Sequence, residues 1–473
     1  MQKKNTSLLD QNKNLQADFG SIFRSSSIFY IPSKVKTTIS ISNYWEFKNN
    51  LKISLLMTVR NVSGKTVSRK EIYFSSSNVI SISKFGITEG SVEIEAFGNT
   101  NLRIPYAAVM AIYEADNSIS MVHSYTRNHS LIELEDKNCI LSARESCWTI
   151  KPKFINKGVF HNGHISIDKQ KAKLILTNQD GLDKIYKFII PKIDAYETFI
   201  FEIKKIAPDF KKFLKNKEGW ATVYFESLSS FTRMLIIWEN YSKTELQTTH
   251  SNFDYSNYIT NKLLSSKGVQ MTFPKISNLL EELNLITYPK FEKGEYNFGI
   301  NNKKREKFNK GFIKKLNTKD SFINFKKDSN LLPTRIVTAL SGKTKNQSIP
   351  FECSMGIDHE KAIKKRFSWA LVSGKFDNLI FMNRNNIIDS ELSSDFIFKL
   401  YNSHNKKVKS KKIKLKIAED GRYKVKLENI FPSYKKFLNK DYGYITLFSA
   451  DVAIRLYTAI YDNKKGVTFE HAF

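Results

Sequence analysis

The chain has 473 residues, 41% of them hydrophobic and 13% aromatic, with only 10 Pro and 19 Gly. This is enough apolar material for roughly three domains of about 150 residues, and it excludes a disordered or collagen-like chain. A net charge of +29 favours an anionic partner, and three cysteines without a CxxC pair exclude a disulfide scaffold and fit a reducing, cytoplasmic setting.

Residues 1–25 are mostly polar and read as a flexible arm without an apolar signal region. No run of 18 apolar residues follows, so no transmembrane helix is expected. Residues 26–130 then read as strands. Leu51 to Val59 is apolar and ends at Asn61-Val62-Ser63-Gly64, and Val92-Glu93-Ile94-Glu95-Ala96 alternates with the strand period of two. Ala107 to Tyr113 is continuously apolar, Asp116-Asn117 supplies a turn, and Ile119 to Ser124 returns.

Residues 140–256 repeat this style. Lys173 to Leu176 runs into Thr177-Asn178-Gln179-Asp180-Gly181, and Lys184 to Ile190 goes back. Pro208 opens a segment read as a single helical turn between two strands. Residues 257–331 differ and are expected to form an insertion. Ser277 is placed to cap a short amphipathic helix over Ile276–Ile286. Lys290 to Lys327 carries 12 Lys and Arg against 4 Asp and Glu, with seven interleaved aromatics. Residues 332–473 resume the strand pattern.

Internal repetition is the strongest signal. Pro208-Asp209-Phe210-Lys211-Lys212-Phe213-Leu214 returns as Pro432-Ser433-Tyr434-Lys435-Lys436-Phe437-Leu438. Each copy continues to a glycine and an aromatic (Gly219-Trp220, Gly443-Tyr444) and an arginine (Arg233, Arg455). An aromatic–acid pair (Trp238-Glu239, Tyr461-Asp462) and a histidine (His250, His471) follow. A looser first copy ends with Tyr113-Glu114 and His123. Trp148 to His250 and Trp369 to His471 both span 102 residues. The expected fold is therefore all-β, with three tandem β-sandwich-like repeats and a short mixed α/basic insertion before the third.

Walker, dinucleotide, GxSxG and HExxH motifs are all absent from the sequence, and no catalytic residue and no cofactor is expected. Hairpin counting sets His471 opposite Thr458, Asp462 opposite Val467 and His123 opposite Met110. Each acid then lies about 13 Å along the strands from its histidine, which argues against an acid–His dyad. His123, His250 and His471 are expected to fix their own closing strands by hydrogen bonds rather than to bind a metal. Arg233 and Arg455 are expected to pair with an acid or cover a strand edge. For binding, Lys303, Lys304, Arg305, Lys307, Lys310, Lys314 and Lys315 are the expected polyanion contacts. The functional expectation is a non-catalytic binding or assembly protein for an acidic glycan or nucleic acid. The alternative is an enzyme whose metal or polar site forms between the repeats from the recurrent histidines.

Overall fold

The computed structural model describes residues 23–49, 51–73, 77–98, 108–123, 146–225, 233–252, 269–276, 279–288, 296–300, 304–308, 311–317, 322–327, 335–358, 367–384, 393–405, 407–416, 421–449, 452 and 454–472. Among them are 32 strands in eight four-stranded antiparallel sheets, the all-β architecture expected from the sequence. The first module holds β1 (Phe23–Ile31), β2 (Lys36–Ser42), β3 (Ser54–Asn61), β4 (Thr66–Ile72), β5 (Ser77–Ser81), β6 (Gly90–Gly98), β7 (Val109–Glu114) and β8 (Ile119–His123). The second holds β9 (Cys147–Ile150), β10 (Ile155–His161), β11 (Gln170–Thr177), β12 (Asp183–Ile190), β13 (Thr198–Glu202), β14 (Gly219–Phe225), β15 (Leu235–Glu239) and β16 (Leu246–His250). The third holds β17 (Val269–Thr272), β18 (Glu282–Thr287), β19 (Tyr296–Ile300), β20 (Lys304–Phe308), β21 (Ile313–Lys315), β22 (Phe322–Lys327), β23 (Arg335–Lys343) and β24 (Phe351–Asp358). The fourth holds β25 (Phe367–Ser373), β26 (Asp377–Arg384), β27 (Ser393–Tyr401), β28 (Val408–Lys416), β29 (Arg422–Lys426), β30 (Tyr442–Ser449), β31 (Ile454–Asp462) and β32 (Gly466–His471).

All four modules share one topology. One sheet runs first–sixth–third–fourth strand, and the other runs fifth–second–seventh–eighth. In the first, second and fourth modules the two sheets close on a common apolar core, as in a β-sandwich. The count of repeats is thus four, not three. The expected basic insertion supplies β17 to β22 of the third module, and the second half of the helix expected over 276–286 is the strand β18. In Glu282-Leu283-Asn284-Leu285 the apolar spacing suits either period, and pairing to β21 and β23 decides it.

The recurrent motif has a packing reason. Helical turns at Phe210–Phe213 and Tyr434–Leu438 carry Leu214 and Leu438 over the glycines that open β14 and β30. A Cβ on Gly219 would stand 2.6 Å from Leu214 Cδ2 and 2.7 Å from the Thr177 carbonyl oxygen. On Gly443 it would stand 2.5 Å from Leu438 Cδ2 and 2.3 Å from the Tyr401 oxygen. Asn178 and Asn402, which follow those carbonyls, accept backbone N–H bonds that cap their turns. A further repeated device joins the first two strands. Asn156 bonds both the N–H and the C=O of Lys151, and Asn378 does the same to Ser373.

The modules close into a ring. β8 packs on β16, β16 on β24, β24 on β32, and β32 back on β8. Val159, Leu235, Ile237 and Leu246 of the second module join the first module's core. Trp220 meets Ile286 and Tyr288. Phe351 and Cys353 meet Tyr457 and Phe469. Met110 and Met121 meet Trp369 and Tyr444, closing the circuit. At the first junction His161 is buried, with Nδ1 2.9 Å from Thr198 Oγ1 and its ring 6.4 Å from that of Tyr30.

Two outcomes follow from this packing. Gly443→Ala should destabilise the chain by roughly 1–3 kcal/mol, read by chemical denaturation, because the obstructing atoms are a buried leucine of the packed turn and a backbone carbonyl of the neighbouring strand. Acidification should act through His161. Burial, aided by Arg60, pushes its imidazole down to about 3. Above its ordinary value of about 6.5 neither state is protonated and the contribution is fully present. As pH falls from there towards about 3, the unfolded chain takes up a proton that the folded chain refuses, so stability is lost. His161→Gln should reduce that acid-side slope; a slope unchanged by the substitution would contradict the assignment.

Candidate functional site

The eighth strand of each module is the edge strand of its sheet, yet it is enclosed: residues 351–355 of β24 are buried, as is β32 apart from His471. Every residue of β8 and β16 is buried. An edge strand exposes unpaired backbone groups, and burying them uncompensated is costly. Hydroxyls of the neighbouring module supply the partners. Ser118 Oγ accepts from the Leu246 N–H at 2.8 Å, Ser120 Oγ accepts from the Thr248 N–H at 2.9 Å, and Thr468 Oγ1 accepts from the Met121 N–H at 3.1 Å. The Gln247 amide donates to the Ile119 carbonyl at 3.0 Å.

This arrangement brings the three histidines together. Ring nitrogens of His123, His250 and His471 all lie within 4.8 Å of one another. The His123 ring centroid is 4.5 Å from that of His250 and 5.0 Å from that of His471. The expectation that each histidine belongs only to its own hairpin is therefore corrected. Equivalent positions on three hairpins become neighbours because the hairpins meet at the centre of a ring, a tertiary fact that counting along one hairpin does not contain.

The hairpin register also differs by one residue in the fourth module. His471 lies opposite Tyr457, and Asp462 opposite Gly466. Asn463-Lys464-Lys465 forms a three-residue turn, with Gly466 in the left-handed region at φ 74°. Glu470, not His471, consequently faces Thr458. Tyr461 then matches Glu239 rather than Trp238 when the strands are aligned on their histidines. His123 lies opposite Met110 as expected.

Around the histidines sits a buried polar shell. Glu470 Oε2 is 3.3 Å from His123 Nδ1, and Oε1 is 3.5 Å from His471 Nε2. His250 Nδ1 lies 2.9 Å from the Ser251 carbonyl. Cys353 Sγ lies 3.9 Å from Glu470 Oε1. Burial first, then the charges of Arg233, His123 and His471, hold the His250 imidazole well below its usual range, so it is neutral at pH 7. Burial pushes the Glu470 carboxyl up to about 7 against the pull of His471 and Arg233, and burial with Glu470 keeps the Cys353 thiol protonated. Three imidazoles beside a carboxyl form a donor set of the kind that holds a transition-metal ion.

The recurrent acids serve elsewhere. Glu114 binds Lys375, and its other oxygen accepts from the Tyr442 hydroxyl at 3.2 Å. Burial pushes its carboxyl up, but Lys375 and Lys36 outweigh that and hold it below its usual range. Glu239 pairs with Lys157 at 2.6 Å, and Asp462 caps the turn by accepting from the N–H groups of Lys464 and Lys465. Arg233 is buried near the histidines, whereas Arg455 lies beside the Tyr457 hydroxyl. Of the basic residues, Lys304, Arg305 and Lys307 belong to β20 and Lys314 and Lys315 to β21. These strands lie in different sheets, so sequence neighbours do not form one sheet edge. Lys303 and Lys310 lie outside the described residues.

Sequence reading missed a second buried cluster at the junction of the second and third modules. Lys151, 1% exposed, places Nζ 3.2 Å from Ser341 Oγ, 3.3 Å from Glu218 and 3.7 Å from Glu352. Its ammonium also lies 4.7 Å from the Trp238 ring centroid. Glu352 accepts from Thr149 and Tyr288, each at 3.2 Å, and burial pushes its carboxyl up despite Lys151.

No family model and no curated protein matches the chain. Among solved structures, the chain is similar to Bacteroides uniformis beta-glucuronidase 2 at 11% identity and TM-score 0.13, covering 48% of this chain and 26% of that one. It is also similar to a tetra-tandem repeat in the extending region of a large adhesion protein, at 6% identity and TM-score 0.11, covering 94% and 97%. A glycosyl hydrolase family 2 member from Bacteroides cellulosilyticus aligns at 6% identity and TM-score 0.12, covering 95% and 92%. Likeness at this level assigns neither an activity nor a ligand. No helix among the described residues is long and apolar enough to cross a membrane.

Removing Lys151 leaves Glu352 buried without its cation. Lys151→Ala should cost about 3–5 kcal/mol, and Lys151→Met combined with Glu352→Gln should recover much of it. Denaturant midpoints of the single and double variants give the comparison, and equal losses would show that the two groups are not coupled.

Proposed function

We propose that the protein is a non-catalytic binding and assembly scaffold for an acidic polymer, held by the basic outer strands of the ring. The carrying observation is positional. The fourth strand of each module is the outer edge of its sheet, and in every module it is basic: Arg69 and Lys70 on β4, Lys184 and Lys187 on β12, Lys304, Arg305 and Lys307 on β20, and five lysines on β28. On β28 the lysines Lys412, Lys414 and Lys416 are exposed and alternate with Ile413 and Leu415, which lean on the core. Charged edges suppress strand-to-strand aggregation, but one or two lysines suffice for that. Asp395 on β27 pairs with Lys412 at 2.8 Å; like charges crowded on one strand repel, so the remaining excess of lysine on β28 supports a negatively charged partner. Lysine-rich strands without base-reading arginine pairs suit charge recognition of an acidic glycan or nucleic acid backbone.

The convergence of His123, His250 and His471 favours a second reading, an enzyme whose site forms between the modules. Burial of His123, His250 and Glu470 leaves little room for a polymeric substrate and supports the first reading.

Titration with heparin and with single-stranded DNA at two salt concentrations tests the proposal. Counterion release gives a log–log salt slope of about −0.7 per neutralised phosphate on single strands. Replacing Lys412, Lys414 and Lys416 by Ala should lower affinity at least tenfold and flatten that slope by about 2. Salt-independent binding, or unchanged affinity in the triple variant, would overturn it.

A further inference from the structure

We propose that His123, His250 and His471 bind one divalent transition-metal ion, zinc by preference, and that the ion clasps the first, second and fourth modules together. The proposal goes beyond the polyanion reading and does not depend on it.

Geometry carries it. The candidate ligand atoms lie within 4.8 Å of one another. Tetrahedral zinc with bonds of about 2.0–2.1 Å holds its ligands about 3.3 Å apart. The three nitrogens must therefore draw together by up to about 1.5 Å, a distance on the scale of side-chain rotation.

The surroundings are those of a ligand set. A metal-binding imidazole as a rule donates its second ring N–H to a carbonyl or carboxylate, which fixes the tautomer. His250 Nδ1 faces the Ser251 carbonyl at 2.9 Å, leaving Nε2 to carry the lone pair. Glu470 Oε2 lies 3.3 Å from His123 Nδ1 and Oε1 lies 3.5 Å from His471 Nε2. One carboxyl thus stands within charge-pairing distance of two of the three rings.

Glu470 is the informative residue. The residue before the histidine is Val122 in the first module and Thr249 in the second. Only the fourth module puts a carboxyl there, and it is 8% exposed. Burying a carboxyl is unfavourable unless it is paired, and here its neighbours are imidazoles, a thiol and Arg233. Arg233 opposes a cation at this place, and the Glu470 carboxylate offsets it. His471 keeps 20% of its side chain exposed, which gives an ion a way in and leaves a position for water as fourth ligand. Because the three imidazoles come from three modules, one bound ion ties together hairpins that are more than 100 residues apart in sequence.

The full-length chain, stripped with EDTA and titrated with Zn²⁺ by calorimetry, gives the test. One equivalent of zinc, confirmed by elemental analysis, and a raised Tm on zinc addition are expected, together with the d–d bands of four-coordinate Co²⁺ on substitution. His123→Gln and His250→Gln should each weaken binding at least 100-fold. Glu470→Gln should weaken it about 10–100-fold, as loss of an orienting partner does. His161→Gln, remote from the cluster, should bind as the wild type does. Titration of the stripped wild type decides the matter even where a variant does not fold. No stoichiometric zinc would overturn the site, as would binding unchanged in the histidine variants. Zinc bound without any rise in Tm would overturn the clasp.

Discussion

The structure depends on how the buried edges of β8, β16, β24 and β32 are satisfied. A sandwich normally leaves its edge strands to water. Here one edge from each of four modules is turned inward and packed against its neighbours. Each backbone group there must find a partner or cost about 1–3 kcal/mol in lost hydrogen bonding. The chain answers with Ser118, Ser120, Thr468 and Gln247, whose side chains bond the backbone of the next module. Repeated β-ladders between modules are not formed. Side chain-to-backbone bonds carry much of the junctions, joined by single backbone bonds such as Asn117 N–H to the Thr244 carbonyl at 2.9 Å, and this permits the modules to meet at a centre instead of extending one sheet.

From that constraint the inside and outside of the ring acquire different chemistry. The eighth strands cannot carry long solvated cations, because they are enclosed. They carry hydroxyls, apolar groups, the histidines and the buried carboxyls of Glu352 and Glu470. The fourth strands face solvent and can carry lysine at almost any density. The strong net charge of the chain is therefore placed partly by topology: position four tolerates it and position eight does not. Sequences that alternate Lys with Ile or Leu, as in Lys412 to Lys416, hold one face on the core and leave the other for a partner.

Strand content, the helical turn at the Pro208 and Pro432 segments and the kinship of the second and fourth modules were legible in the residues, because each rests on local chemistry. Gly219 and Gly443 are glycine owing to contacts a few residues away and one carbonyl across the sheet. The third module was hidden for a physical reason. Between β21 and β22 its sequence has no Pro-x-aromatic-Lys-Lys-Phe-Leu segment, and β24 carries Phe351-Glu352-Cys353-Ser354-Met355 where the others end in histidine. Its topology is kept by patterning alone. Convergence of the histidines was not legible, since it follows from ring closure. A one-residue difference at the Asn463-Lys464-Lys465 turn was enough to exchange the places expected for Glu470 and His471.

Ring closure itself asks for less than its sequence span suggests. The Tyr444 hydroxyl donates to the Ser40 carbonyl across 404 residues, the longest connection in the circuit described here. In a flexible chain each doubling of loop length adds only about 0.6 kcal/mol of closure entropy. Folded modules are stiffer than a flexible chain, so the fourth module is held near the first once the other three junctions have formed. Trp369, Leu371, Tyr442 and Tyr444 then bury against Met110, Ile112, Ile119 and Met121. Full burial of even two such side chains contributes about 3–6 kcal/mol, several times the added closure entropy. Apolar contact at the last junction is thus sufficient to shut the ring. Unlike the hydroxyls and Gln247 that satisfy the edge strands, the histidines and Glu470 are not needed for closure, and burying them is less favourable than burying apolar side chains, which is the physical ground for proposing a site at the centre.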